Sequence, residues 1–214
     1  MSPAALAEAI RRRCPGPRRA LVALAGAPGS GKSTLSEALA KALGADAAVM
    51  PMDGYHLDNA ILDARGDRPR KGAPWTFDVA GLARDLARLR ADDGPVLVPV
   101  FDRTLDLSRA AAREIGPKVR IVIVEGNYLL LDQAPWEALA PFWDVTLALD
   151  VPQEVLRARL IARWLAHGHD PAAAEARALS NDLPNATTVR NLSRRADLVI
   201  PADQPEARPD PSIR

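Results

Sequence analysis

The chain has 214 residues, with 28 Lys and Arg against 27 Asp and Glu, a net charge of +1, 48% hydrophobic and 4% aromatic residues. That length allows one domain, or one with a small appendage, and the near-neutral charge argues against nucleic acid or an anionic membrane as the main partner. A single cysteine, Cys14, excludes an internal disulfide and a cysteine-based zinc site, and no apolar run approaches the roughly 20 residues that span a bilayer, so the cytoplasm is the expected setting.

In chain order, an outlying helix is expected over Pro3–Arg13. Arg18 and Arg19 before the apolar run Leu21–Ala27 imitate a secretory leader, but that run is short and passes straight into a glycine-rich loop. A strand over Ala20–Ala25, a helix over Gly31–Leu43 and a strand over Ala47–Met52 follow. Gly54–Phe77, rich in Asp, Arg, Gly and Pro, reads as a long loop with a short helix around Leu57–Asp63, and loops of that length are often functional. Leu82, Leu86 and Leu89 predict a helix over Val79–Arg90, while the internal proline of Val96–Phe101 demotes that strand to an edge. Strands over Val119–Val124, Val145–Leu149 and Leu198–Ile200 complete the set, with helices over Pro152–His167, Pro171–Asn181 and Asn185–Arg194. This alternation predicts an α/β fold with a central parallel five-stranded sheet between helical layers. The reading is one domain over 1–201, with a lid at about 156–185, and a proline-rich, weakly ordered tail over 202–214.

Gly26, Ala27, Pro28, Gly29, Ser30, Gly31, Lys32 and Ser33 match the phosphate-loop pattern G-x-x-x-x-G-K-[ST], between a predicted strand and a predicted helix as the chemistry requires. Glycines let successive backbone N–H groups turn inward around a phosphate chain, and the helix N-terminus adds partial positive charge. Lys32 would reach the β- and γ-phosphates of ATP, Ser33 would bind Mg²⁺, and Thr34 is grouped with them at the nucleotide. The chain has no Asn-Lys-x-Asp for guanine and no Leu-Ser-Gly-Gly transporter signature, and it is too short for a mechanical ATPase core.

Asp53 follows the second predicted strand, on the same carboxyl edge as the phosphate loop, where it can accept the proton of an attacking hydroxyl; an Asp-Gly turn with a solvated carboxylate is the plainer alternative. Glu125 ends the apolar run Ile121–Val124 in the Walker B position, suited to a metal or an acceptor hydroxyl, or simply to capping the next element. Asn127 and Tyr128 can face the acceptor. Arg159 and Arg163, spaced i,i+4 in the lid segment, are candidates to offset phosphoryl charge, though surface arginines are common on helices. Basic residues of the long loop and after the edge strand, Arg65, Arg68, Arg70, Lys71, Arg103 and Arg109, read equally as an acceptor pocket or a solvated face.

Taken together, these blocks resemble the uridine kinase, pantothenate kinase and phosphoribulokinase group of P-loop kinases, across nearly all of Ala20 to Pro201. The resemblance rests on Gly26–Ser33, Asp53-Gly54, Arg70–Asp78, Pro99–Asp102, Val124–Gly126 and the pair Arg159 and Arg163. It implies a P-loop fold with a helical lid, a catalytic base at Asp53, and an adenine site near Arg195–Pro201; homodimers are a family expectation. Tyr55, His56, Arg70, Lys71, Asp102, Arg109, Glu125 and Asn127 join Asp53 as acceptor-side candidates. Asp-Gly-Tyr-His-Leu is more similar to pantothenate kinases than to uridine kinases, which usually carry Asp-Ser, and the whole is most similar to a bacterial subgroup labelled nucleoside/nucleotide kinase-like or fructokinase. The resemblance implies a Mg²⁺-ATP-dependent kinase acting on a hydroxyl of a sugar or polyol, a pantothenate-like molecule or a nucleoside. The rival is a nucleotide-binding regulatory ATPase that works through a protein partner.

Overall fold

The computed structural model describes residues 1–201; the expected proline-rich tail, 202–214, lies outside the described residues. Helix α1 (Pro3–Arg13) opens with the Ser2 hydroxyl accepting from Ala5 N and with Pro3 in its first turn, a favourable start because that position needs no backbone donor. Strand β1 (Ala20–Gly26) is buried at every residue. Helix α2 (Lys32–Leu43), strand β2 (Ala47–Pro51), a 3-10 turn over Met52–Tyr55 and helix α3 (Asn59–Arg65) follow, then helix α4 (Val79–Ala91). A hairpin of β3 (Val96–Asp102) and β4 (Leu107–Ile115) precedes β5 (Ile121–Gly126) and β6 (Val145–Asp150). Helices α5 (Gln153–Ala166), α6 (Pro171–Arg177) and α7 (Leu183–Leu192) lead to β7 (Leu198–Pro201).

The five main strands lie parallel in the order β2-β5-β1-β6-β7. Because side chains alternate across a strand, Leu21, Ala23 and Ala25 of β1 enter one core with Leu82, Leu86 and Leu89 of α4, while Val22 and Leu24 enter another with Leu6, Ile10, Leu39 and Leu43 of α1 and α2. Each fully buried leucine there contributes roughly 2 kcal/mol. Parallel strands end together, so β1, β2 and β5 deliver the phosphate loop, Asp53 and Glu125 to one rim; Glu125 stands in register with Leu24 and Pro51. Among the described residues no helix is long and apolar enough to cross a membrane.

Three details depart from the sequence-based expectation. Val96–Phe101 is a strand, but it pairs with β4, which the pattern does not announce, in a separate antiparallel sheet rather than at the edge of the main one. The pairing slips between Val98 and Val100, at Pro99, which has no N–H to give the ladder. The helix expected over Pro171–Asn181 stops being regular at Arg177: Ala178–Asp182 form a π turn that runs directly into α7, two residues before the expected start.

The hairpin reaches the rim through a glycine. A Cβ at Gly54 would lie 2.3 Å from the Pro99 carbonyl oxygen, so only a residue without one lets β3 pass against the turn that carries Asp53. Gly54→Ala is therefore expected to lower stability by about 1–3 kcal/mol and to push the hairpin away from Asp53. Urea denaturation checks the first effect; an unchanged midpoint would show that the contact is not constraining.

Candidate active site

The loop between β1 and α2 is shaped by Gly29 (φ 78°) and Gly31 (φ 94°), backbone conformations that L side chains rarely adopt. Gly31 starts α2 without a side-chain cap, leaving the first-turn amides without a side-chain acceptor. Lys32 is only 8% exposed, and its Nζ donates to the Ala27 carbonyl at 3.0 Å. No carboxylate lies within 4.0 Å of it among the described residues, and burial lowers its pKa to about 8, against the opposing pull of Glu125 and Asp53. The Ser30 hydroxyl is buried with no hydrogen-bond partner. Ser33 Oγ donates to Glu125 Oε1 at 3.2 Å, and burial raises the Glu125 pKa, partly offset by Lys32. A buried ammonium, an unused hydroxyl and uncapped amides fit a polyphosphate, and the Ser33–Glu125 pair fits a magnesium ion. No group of three or more His, Cys, Asp or Glu is placed to hold a metal among the described residues, so an ion there would take most of its oxygens from phosphate and water.

Asp53 sits in the 3-10 turn that β2 feeds, with its side chain 28% exposed. Its Oδ2 accepts from Arg103 Nη2 at 2.7 Å, and its carbonyl faces His56 Nδ1 at 2.8 Å. A carbonyl only accepts, so Nδ1 carries a proton; burial lowers the His56 pKa, against the opposing pull of Asp53. His56 lies 4.1 Å from the Phe77 ring centroid and 4.7 Å from that of Phe101, an apolar wall beside a charged rim.

Asp53, Lys32, Ser33 and Glu125 open into one cavity of about 510 Å³. Helix α5 brings Arg159 and Arg163 to it: Arg159 reaches the Ser30 carbonyl at 3.4 Å, and Arg163 pairs with Asp182 at 3.1 Å. Pro28, Gly29, Gly31, Thr34, His56, Lys71 and Asn127 also line this cavity, while Ser30 is buried in the loop beneath. Gly26 and Ala27 border a second, more apolar cavity of about 480 Å³, between Leu149, Leu156, Arg190 and Ala196 near β7.

Five acceptor-side candidates are placed elsewhere. Tyr128 is fully buried, and its hydroxyl donates to the Gly72 carbonyl at 2.6 Å. Tyr55 turns back under the sheet, where its hydroxyl donates to Asp85 of α4 at 2.7 Å. Arg70 gives Nε to Asn181 Oδ1 at 3.1 Å and lies over the Trp75 ring. Asp102 caps the hairpin turn by accepting from Thr104 N and Leu105 N, each at 3.1 Å, and Arg109 lies 3.7 Å from it in solvent. Lys71 lines the cavity but commits its ammonium to Asn59 Oδ1 and to two oxygens of Asp106, at 2.6, 2.8 and 2.8 Å, so it clamps the long loop to the hairpin. Sequence reasoning did not single out Arg177, Asn181, Asp182 and Asn185, which line the cavity from the helical segment around the π turn. No periodicity marks a π turn; the buried polar pair Asn181-Asp182 inside a helical stretch is the trace it leaves.

No protein-family model matches the chain. An uncharacterized Escherichia coli protein, YggC, is 42% identical over 189 residues, covering 86% of this chain and 78% of its own. A Schizosaccharomyces pombe protein named "Putative uridine kinase C227.14" is 40% identical over 197 residues, with 86% and 83% covered. The crystal structure of a "putative fructose transport system kinase" from Silicibacter sp. TM1040 is 50% identical, with a TM-score of 0.90 over 94% of this chain and 100% of that one.

The buried ammonium gives a pH signature. As pH rises through about 8, folded Lys32 loses its proton while the unfolded chain keeps it to about 10.5, so the unfolded state binds more protons and folding stability rises. Relative to Lys32→Met, the wild-type protein without nucleotide should gain stability between pH 8 and 10, by up to about 3 kcal/mol. Parallel urea titrations check this; a pH-independent difference would mean that Lys32 titrates normally.

Proposed function

The chain belongs to the P-loop kinases of the uridine kinase, pantothenate kinase and phosphoribulokinase group, and we propose that it transfers the γ-phosphoryl group of Mg²⁺-ATP to a hydroxyl of a small metabolite. The observation that carries this reading is that buried Lys32 and accessible Asp53 open into one cavity, a phosphate cradle facing a base. The second cavity, behind Gly26 and Ala27, suits an adenine ring, with Ala196 and Leu149 as apolar contacts.

In this reading Lys32 and the amides of the loop hold the β- and γ-phosphates. Ser33 and Glu125 hold the metal, which supplies charge neutralisation at those phosphates. Asp53 takes the proton of the acceptor hydroxyl or fixes it in line; Arg159 and Arg163 offset charge on the moving group. Residues 156–185 act as a lid. Support comes from α5, where Leu156 and Leu160 alone are buried across fourteen residues, in a small cluster separate from the two cores of the sheet. Closure would exclude water and suppress idle hydrolysis. The single Cys14 supports a cytoplasmic setting.

Asp53→Asn should lower acceptor-dependent kcat by at least about a hundredfold while leaving ATP affinity within about twofold, because a general base acts on the chemical step alone. Coupled ADP release with sugars, polyols, pantothenate and nucleosides measures the first, and nucleotide titration the second. Equal kcat in both proteins would remove Asp53 from the chemistry. Slow turnover that no acceptor accelerates would sink the kinase reading.

A further inference from the structure

Seven basic side chains line the main cavity against four carboxylates, and they divide by place. Lys32, Arg159 and Arg163 belong to the phosphate side described above. On the acceptor side Lys71 is spent on Asn59 and Asp106, and Arg68 on Asp63 and Asp106. Arg103 and Arg177 are different. Arg177 has only the Pro69 carbonyl at 3.4 Å and the Trp164 ring face at 5.3 Å, with no carboxylate within 4.0 Å among the described residues. Arg103 has Asp53, but its side chain is 68% exposed, and an ion pair in that setting is weakly held.

The two arginines flank one stretch of chain. Arg68 reaches Asp106, in the hairpin turn that follows Arg103, and its neighbour Pro69 receives Arg177. The turn itself is fixed: Asp102 caps it, and Lys71 and Asn59 hold Asp106. Arg103 is thus an exposed side chain on an anchored backbone, and a bidentate donor of this kind recognises phosphate or carboxylate. The neighbouring wall, His56 with Phe77 and Phe101, is aromatic and adds no carboxylate for these cations.

We propose that the acceptor is an anion, carrying besides its reactive hydroxyl a phosphate or carboxylate that Arg103 and Arg177 receive, and that Arg103 releases Asp53 in doing so. The proposal rests on the kinase reading. It adds that the acceptor uncovers its own base: Arg103 occupies Asp53 Oδ2 at 2.7 Å, and the incoming anion frees that oxygen for the hydroxyl. A neutral polyol would leave both arginines unanswered and Asp53 engaged.

Two independent measurements test it. In the first, inorganic phosphate and acetate are titrated separately into the full chain saturated with Mg²⁺-ADP, with the arginine Nε–H signals followed by NMR. A saturable shift of the Arg103 signal with one of them, absent in Arg103→Met, is expected and names the anion; no saturable shift with either overturns the proposal. The second compares ADP release with matched sets, a polyol beside its phosphate ester and its carboxylic acid. The charged member should have a kcat/KM at least about a hundredfold above the neutral one, and Arg103→Met should raise its KM about tenfold or more with the KM for ATP unchanged. Preference for the neutral member, with KM unaffected by Arg103→Met, overturns the proposal while the kinase reading stands. If no acceptor releases ADP, the kinase reading fails, and the anion titration still decides whether Arg103 binds an anion.

Discussion

A buried ammonium group governs this site. Among the described residues Lys32 Nζ has one carbonyl oxygen for company and no carboxylate in contact, at the end of a sheet whose core excludes water. Burying a charge so poorly matched costs free energy, which the packing of α2 against β1 must supply. The surroundings have the form of a socket: the Ser30 hydroxyl has no partner, Gly31 leaves amides uncapped, and Glu125 is tied to Ser33 rather than to the lysine. A polyanion would satisfy the ammonium, the hydroxyl and the amides at once, so the strain of the free state becomes affinity for phosphate.

Opposite this socket the structure spends rigidity on a single carboxylate. Asp53 lies on a turn in which the next residue is a glycine because the Pro99 carbonyl passes there, and His56, just past the turn, hydrogen-bonds back to the Asp53 carbonyl. Lys71 locks the long loop to the hairpin that carries Arg103. The backbone around Asp53 is therefore fixed from three sides, while its ionic partner stays exposed. In the kinase reading proposed above, that combination holds the base still while leaving its counterion open to solvent.

The sheet and its rim were legible because they are local patterns: apolar runs of five or six residues, and a phosphate loop whose glycines and lysine are contiguous. Asp53 and Glu125 could be placed because a carboxylate just after a parallel strand falls on a known edge. Side-chain direction within the irregular stretches was not legible. Tyr55 is two residues from Asp53, yet in a 3-10 turn that spacing carries it to the opposite side, toward Asp85. Lys71 reads as a free cation until the fold brings Asp106 to it from thirty-five residues away. Strand β4, charged and bulged around Ala111 at φ 51°, lacks the apolar alternation that marks a strand.

The π turn at Ala178–Asp182 is one residue too many for a regular helix. The surplus lets consecutive residues serve two neighbours: Asn181 takes a bond from Arg70 and gives one to the Lys71 carbonyl, while Asp182 accepts from Arg163 and Trp164. Helix α5 and the long loop that carries Arg70 and Lys71 are thereby geared to a common axle. Deleting any one residue from that turn would restore an ideal helix and disengage the gear, so the length of this segment, more than its composition, ties the arginines of α5 to the far wall of the cavity.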